Sequence, residues 1–275
     1  MKNTVIIVGA IIFLFFALST ALNNKKTIQT EGITEIRTVQ ANKQDKSYDL
    51  NILFIGNSYT FFNDIPGIIL KIAENDSQNP HNILIQSITF GGARLQNHWN
   101  NTSTHKIIEN HPWDMIVLQE QSQWALFSNT IKSTAAHVAQ FTQKAKAQKS
   151  YVMLYQTWPR QPGSNWYTLP EYKDSTKNPE HMFKALKNYT AKIAYINKIA
   201  TAPVGEYWYK TMYINPEIQL YNPDGSHPSM AGSYLAALVF YKNLTGNSPM
   251  NTSYIPKDIP KSQGETLKRI TSDKL

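Results

Sequence analysis

The chain of 275 residues contains no cysteine. That absence excludes a disulfide framework, a lipoprotein attachment site and any Cys-ligated metal, so stability has to come from packing. Concentrated charge is lacking as well. The formal charge of +8 is spread as single lysines with no block of five or six like charges, a pattern that serves solubility and weak attraction to anionic surfaces and disfavours nucleic acid as a partner. An apolar run long enough to concern a membrane stands at the N-terminus, where Lys2 precedes Val5–Leu18 and the small residues Ser19, Thr20 and Ala21. This is the order of charge, hydrophobe and cleavage site in a secretory signal peptide, so residues 1–22 are expected to direct export to the periplasm or the medium. The run is near the lower limit of about 18 apolar residues for a membrane span, which makes an uncleaved N-terminal anchor the alternative. Lys25 and Lys26 just beyond it do not favour an anchor with its N-terminus inside.

What is present describes one folded domain. With 41% hydrophobic and 12% aromatic residues, the chain can bury a sizeable core but is too short for two. Residues 23–48 are polar and without sustained periodicity, and read as a linker. The domain is expected over 49–248, with 249–275 as a C-terminal tail. Short apolar runs at Leu50–Ile55, Ile83–Thr89, Met115–Leu118, Tyr151–Tyr155 and Ala202–Val204 predict five strands covered on both faces. Helical patterns at Ile65–Asn75, Leu95–Asn110, Ile131–Gln148, Pro179–Ala200 and Pro228–Leu244 lie between and after them. The alternation predicts an α/β fold around a parallel sheet, whose binding crevice lies at the carboxyl ends of the strands.

Two motifs fall where that crevice should be. Ser58, in Gly56-Asn57-Ser58-Tyr59-Thr60, follows the first strand directly and is a candidate nucleophile. Such a serine needs a base and a third group that fixes the base's tautomer. Asp224-Gly225-Ser226-His227 offers both, because an Asp three residues before a His in a tight turn can reach its Nδ1 proton and leave Nε2 for the serine. Pro223 and Pro228 restrain the turn, and Pro228 suits the start of the last helix. A glycine two residues after the serine, which the nucleophile elbow of the larger α/β-hydrolases needs, is replaced by Thr60. Ser122 has no partner motif.

Together with Gly91-Gly92 after the second strand and Val117-Leu118-Gln119-Glu120-Gln121-Ser122 after the third, these motifs resemble in order the SGNH (GDSL-like) hydrolases, and within them a bacterial subgroup with Gly-Asn-Ser in the first block and Leu-Gln-Glu-Gln-Ser in the third. The resemblance implies a three-layer, flavodoxin-like α/β/α fold with a five-stranded parallel sheet. It also implies a triad of Ser58, His227 and Asp224 and an oxyanion hole of the Ser58 N–H, the Gly92 N–H and a side-chain amide. An Asn usually supplies that amide. Alignment puts Gln121 there, with Gln119 as the neighbouring alternative and a hole lacking the amide as the third. Gly92 is expected to be glycine because backbone approaches closely there.

No cofactor and no metal are expected. His98, His105 and His111 cluster in sequence, but two helical turns would set His98 and His105 about 10 Å apart, so they read as surface or packing residues. Trp99, Trp124, Trp158, Trp166 and Trp208 lie in or near segments that follow strands; core packing is the expectation for most, and exposed ones would suit stacking on sugar rings. The loop from Tyr155 to Asn178 is the candidate substrate rim. Glu206 ends a strand on that side without an evident role. The function these features favour is an exported serine esterase acting on acyl esters, O-acetyl foremost, of carbohydrate. A lipid-directed esterase or lysophospholipase, an acyltransferase and an inactive glycan-binding module are the alternatives.

Overall fold

A computed structural model describes residues 35–40 and 48–275 apart from 173–175. The segment expected as signal peptide or anchor lies outside these residues, and among them no helix is long and apolar enough to cross a membrane. The strands are β1 (Glu35–Gln40), β2 (Leu50–Gly56), β3 (Ile83–Thr89), β4 (Met115–Leu118), β5 (Tyr151–Tyr155) and β6 (Ala200–Ala202), in sheet order β1-β3-β2-β4-β5-β6. From β3 to β6 all neighbours are parallel, as the apolar runs predicted. β1 adds an antiparallel edge, pairing Glu35 with Thr89 through Gln40 with Leu84.

Helices alternate with these strands. α1 (Ser58–Phe61) and α2 (Ile65–Glu74) follow β2, α3 (Leu95–Trp99) and α4 (Thr102–Glu109) follow β3, α5 (Ile131–Ala147) follows β4, and α6 (Pro179–Asn197) follows β5. α7 (Val204–Ile214), α8 (Met230–Thr245) and α9 (Lys261–Ser272) complete the chain. Because successive strand side chains point to opposite faces, Ile52 and Phe54 join α2, α7, α8 and α9 in one apolar layer, and Leu53 and Ile55 join α3 to α6 in the other. Both layers are buried, which explains why the strands read as continuous apolar runs. α8 is buried on every side from Ala231 to Tyr241, so it lies inside its layer with α2, α7 and α9 around it.

Several boundaries differ from the sequence expectation. The residues read as a linker include β1, and the sheet accordingly has six strands. The tail beyond residue 248 is docked on the domain: Leu267 and Ile270 of α9 are buried in the core, and Lys242 of α8 donates to the carbonyls of Thr271, Ser272 and Asp273 at the end of α9. Carbonyls at a helix C-terminus lack partners and draw such a cation. The last strand is Ala200–Ala202, and Val204 opens a helix where the strand was expected to end. The helix expected over Leu95–Asn110 breaks at Asn100 and Asn101, where Asn101 caps α4 by accepting from Ser103 and Thr104 N–H.

Candidate active site

Ser58 is the first residue of α1 at the carboxyl end of β2, half-buried, and its Oγ lies 2.8 Å from His227 Nε2. His227 Nδ1 lies 2.5 Å from Asp224 Oδ2. A carboxylate only accepts, so Nδ1 carries the proton and Nε2 is left to accept from the serine hydroxyl. Asp224 Oδ1 accepts the N–H groups of Ser226 and His227, both at 2.9 Å. Partial burial pushes the Asp224 pKa up, but the His227 hydrogen bond and these two N–H groups outweigh it and hold the carboxyl below its usual range.

The turn carrying the imidazole is fixed from several sides. Asn222 N–H donates to His227 O at 2.8 Å, Trp158 Nε1 donates to Ser226 O at 3.0 Å, and Asn63 Nδ2 donates to Pro228 O at 2.9 Å. Phe62 stacks on the imidazole with centroids 4.2 Å apart. Tyr59, next to Ser58, stacks on Trp158 at 4.6 Å, and its hydroxyl shares a hydrogen bond with Ser226 Oγ at 2.7 Å.

Beneath Ser58 lies a polar knot that the motifs alone did not reveal. Gln119, 1% exposed, accepts from Asn57 N–H and Thr60 Oγ1 through Oε1, both at 2.9 Å. Its Nε2 donates to Asn57 Oδ1 and to Glu120 O. Asn57 Nδ2 donates to Ala93 O at 2.9 Å, and buried His98 lies with Nε2 2.8 Å from Gly56 O. This joins the loops after β2, β3 and β4. Gly56 has to be glycine, since a Cβ there would stand 2.5 Å from Thr60 Oγ1 and 2.7 Å from Gln119 Oε1. Burial drives the His98 pKa down to about 4 against the opposing pull of the Gly56 hydrogen bond, so the ring is neutral. The signal available in sequence was the polar set Asn57, Thr60 and Gln119 directly beside strand ends, where a buried polar side chain needs a partner.

The residues expected to build an oxyanion hole fare differently. Both N–H bonds of the Gln119 amide are committed to the knot. The Gln121 side chain is half-buried and makes no hydrogen bond among the described residues, while its backbone N–H donates to Glu120 Oε1 at 2.7 Å. Gly92 adopts φ +68° in the turn after β3, and no atom lies within 4 Å of where its Cβ would stand. Backbone conformation, and not crowding, therefore requires that glycine. Glu120 also accepts from Leu95 N–H and Thr134 Oγ1. Burial raises its pKa to about 7 despite these hydrogen bonds and the nearby Arg94 charge.

Among the described residues no group of three or more His, Cys, Asp or Glu side chains could hold a metal. His98 belongs to the knot, His105 lies against Trp99, and His111 is hydrogen-bonded to Asn51. Trp158 and Trp208 are wholly buried and stacked, whereas Trp99, Trp124 and Trp166 are half-buried. Glu206 stands in the first turn of α7 and pairs with Lys187 at 2.6 Å.

Residues 53–273 match the family model "Domain of unknown function (DUF4886)", a span that runs through α9. The chain belongs to the DUF4886 family. None of the curated proteins matches its sequence. Among solved structures, a DUF4886 family protein from Bacteroides uniformis is similar at a TM-score of 0.67 and 18% identity, over 81% of this chain and 93% of that one. A candidate SGNH hydrolase from Slackia heliotrinireducens is similar at a TM-score of 0.57 and 27% identity, over 72% and 99%. Axe2, an acetylxylan esterase from Geobacillus stearothermophilus, is similar at 0.53 and 12%, over 72% and 94%. The fold of this DUF4886 chain is thus the one SGNH hydrolases share.

Proposed function

We propose that the protein is an exported serine esterase that removes acyl groups, O-acetyl foremost, from carbohydrate through an acyl-enzyme on Ser58. The observation that carries the reading is the unbroken hydrogen-bonded line from Asp224 through His227 to Ser58 at the carboxyl edge of the sheet. As Ser58 Oγ bonds to the ester carbonyl carbon, its proton passes to His227 Nε2 and the carbonyl electron pair moves onto oxygen. That oxyanion accepts from the N–H groups of Ser58 and Gly92 and from the Gln121 amide, the one third-block amide with uncommitted donors. Collapse breaks the bond to the sugar oxygen, which leaves with the imidazolium proton. Water then gives a proton to His227 and adds to the acyl carbon, and Ser58 departs reprotonated as the carboxylic acid is released.

The direction toward acetylated carbohydrate is supported by the signal-like order of residues 1–22, by half-buried aromatics on the rim, and by the fold shared with an esterase of acetylxylan. A fluorophosphonate should label Ser58 on the folded protein, identified by mass spectrometry of the modified peptide. Acetylated sugars and short acyl esters should be turned over by wild type and not by Ser58→Ala. Labelling at another residue removes the nucleophile assignment, and turnover that rises steadily with acyl chain length turns the substrate to lipid.

A further inference from the structure

We propose that Arg160 and Arg94, with the aromatic side chains strung between them, form a subsite for a carboxylate-bearing sugar, so that the acyl ester cleaved belongs to an acidic, uronate-containing glycan. This rests on the reading of Ser58 as a carbohydrate esterase nucleophile. Only four of the 27 basic residues are arginine, and two of the four stand at this edge of the sheet.

Arg160 is 8% exposed, and its Nε is buried without a hydrogen-bond partner. Its guanidinium stacks over Trp166 at 4.7 Å and takes part in no ion pair or hydrogen bond among the described residues. A guanidinium never loses its charge and carries five N–H donors, so burying it unpaired is costly unless something else supplies the acceptor. Its position fits a substrate. Two residues earlier, Trp158 stacks on Tyr59 beside Ser58, and one residue later Gln161 N–H donates to Gly225 O, between Asp224 and His227.

Arg94 flanks the site from the other side. It follows Gly92 by two residues and lies over Trp124 at 4.3 Å, again without an ion pair or a side-chain hydrogen bond among the described residues. Glu120 is the acid that faces it, yet the Glu120 oxygens are taken by Leu95 N–H, Gln121 N–H and Thr134 Oγ1. Between the two arginines runs an aromatic line. Phe127, three residues after Trp124, meets Tyr172 at 5.5 Å, and Tyr172 meets Trp166 at 4.4 Å. Aromatic faces pack against the apolar face of a sugar ring, and the planar guanidinium fork matches a carboxylate through two parallel hydrogen bonds. Lysine, far commoner in this chain, offers a point charge without that fork.

The test compares kcat/KM for an O-acetylated oligogalacturonide and for its carboxyl-reduced counterpart. Wild type should prefer the acid by roughly tenfold to a hundredfold, the worth of a charged hydrogen-bond pair. The preference should shrink toward one in Arg160→Gln and partway in Arg94→Gln, and added salt should weaken it. Turnover of p-nitrophenyl acetate by wild type tests the Ser58 reading by itself. A ratio near one in an enzyme that cleaves p-nitrophenyl acetate overturns the subsite. If no ester is cleaved, the Ser58 reading has failed, and calorimetric titration with unacetylated oligogalacturonide decides instead: binding weakened in Arg160→Gln and partly kept in Arg160→Lys supports the subsite, and no binding to wild type overturns it. Should Arg160→Gln fail to fold, the wild-type ratio and Arg94→Gln, at a half-buried position, separate the same two outcomes.

Discussion

The floor beneath Ser58 and the rim around it are built on opposite terms. In the floor, the Gln119 amide meets Asn57, Thr60 and Glu120 with both its oxygen and its nitrogen, inside a region closed to water. On the rim, Gln121 has an amide without a hydrogen bond among the described residues, and two arginines rest on tryptophans. A satisfied buried network rigidifies what it holds, whereas donors left open serve something that arrives later. The difference separates two neighbouring glutamines: the Gln119 amide is committed to the knot, and the Gln121 amide is the one whose donors the knot leaves open.

The largest effect should come from the hydrogen-bonded line that reaches Ser58 between floor and rim. Asp224→Asn keeps the turn's shape but stabilises the wrong His227 tautomer; kcat should fall about 10⁴-fold, as the equivalent substitution does in serine proteases, with an unchanged circular dichroism spectrum. Undiminished turnover would remove Asp224 from the triad. Next, on the proposal that the Gln121 amide donates to the oxyanion, Gln121→Ala should lower kcat about 10²- to 10³-fold with little change in KM and in melting temperature, since such a donor matters when charge develops on the oxygen. Gln119→Ala should instead lower the melting temperature by about 5 °C or more, since each buried group it orphans costs about 1–3 kcal/mol. If the two variants exchange these signatures, the division between floor and rim is drawn at the wrong residue.

How much of this the sequence carried depended on the strength of each local signal. β2 to β5 and the helices after them were legible because runs such as Leu50–Ile55 are buried on both faces. Ser58, Asp224 and His227 were legible because each adjoins a strand end or a helix start. β1 was not, since Glu35–Gln40 is an edge strand whose polar composition matches its surroundings. α9 offered only Leu267 and Ile270 to the core, too few for a helical stripe to be read, and α7 opens one residue after Pro203 with an aromatic composition that also suits a strand. The knot stayed hidden for a different reason. Asn57, Gln119 and His98 are far apart in the chain, and nothing in their spacing states that they meet.

Glu120 belongs to both regions, and its carboxyl gives an effect that appears only at one end of the pH range. Burial lifts its pKa from 4.5 to about 7, so between those values the folded protein keeps a proton that the unfolded chain has released. Stability from this group is therefore full below about pH 4.5 and is lost as pH rises to 7, by up to about 3 kcal/mol. His98 acts in the opposite sense: its pKa falls from 6.5 to about 4, so its contribution is full above 6.5 and is lost as pH falls toward 4. Between about pH 4.5 and 6.5 the two slopes offset each other. Glu120→Gln keeps an acceptor for Leu95 and Gln121 N–H, faces Thr134 Oγ1 with a donor in place of the Oε2 that accepts from it, as the protonated carboxyl can, and removes the first slope. Its melting temperature should match wild type near pH 4.5 and exceed it by about 6 °C or more at pH 8. A gap that is the same at both pH values would mean that the Glu120 carboxyl titrates in the folded protein as it does in the unfolded chain, so that burial does not hold its proton.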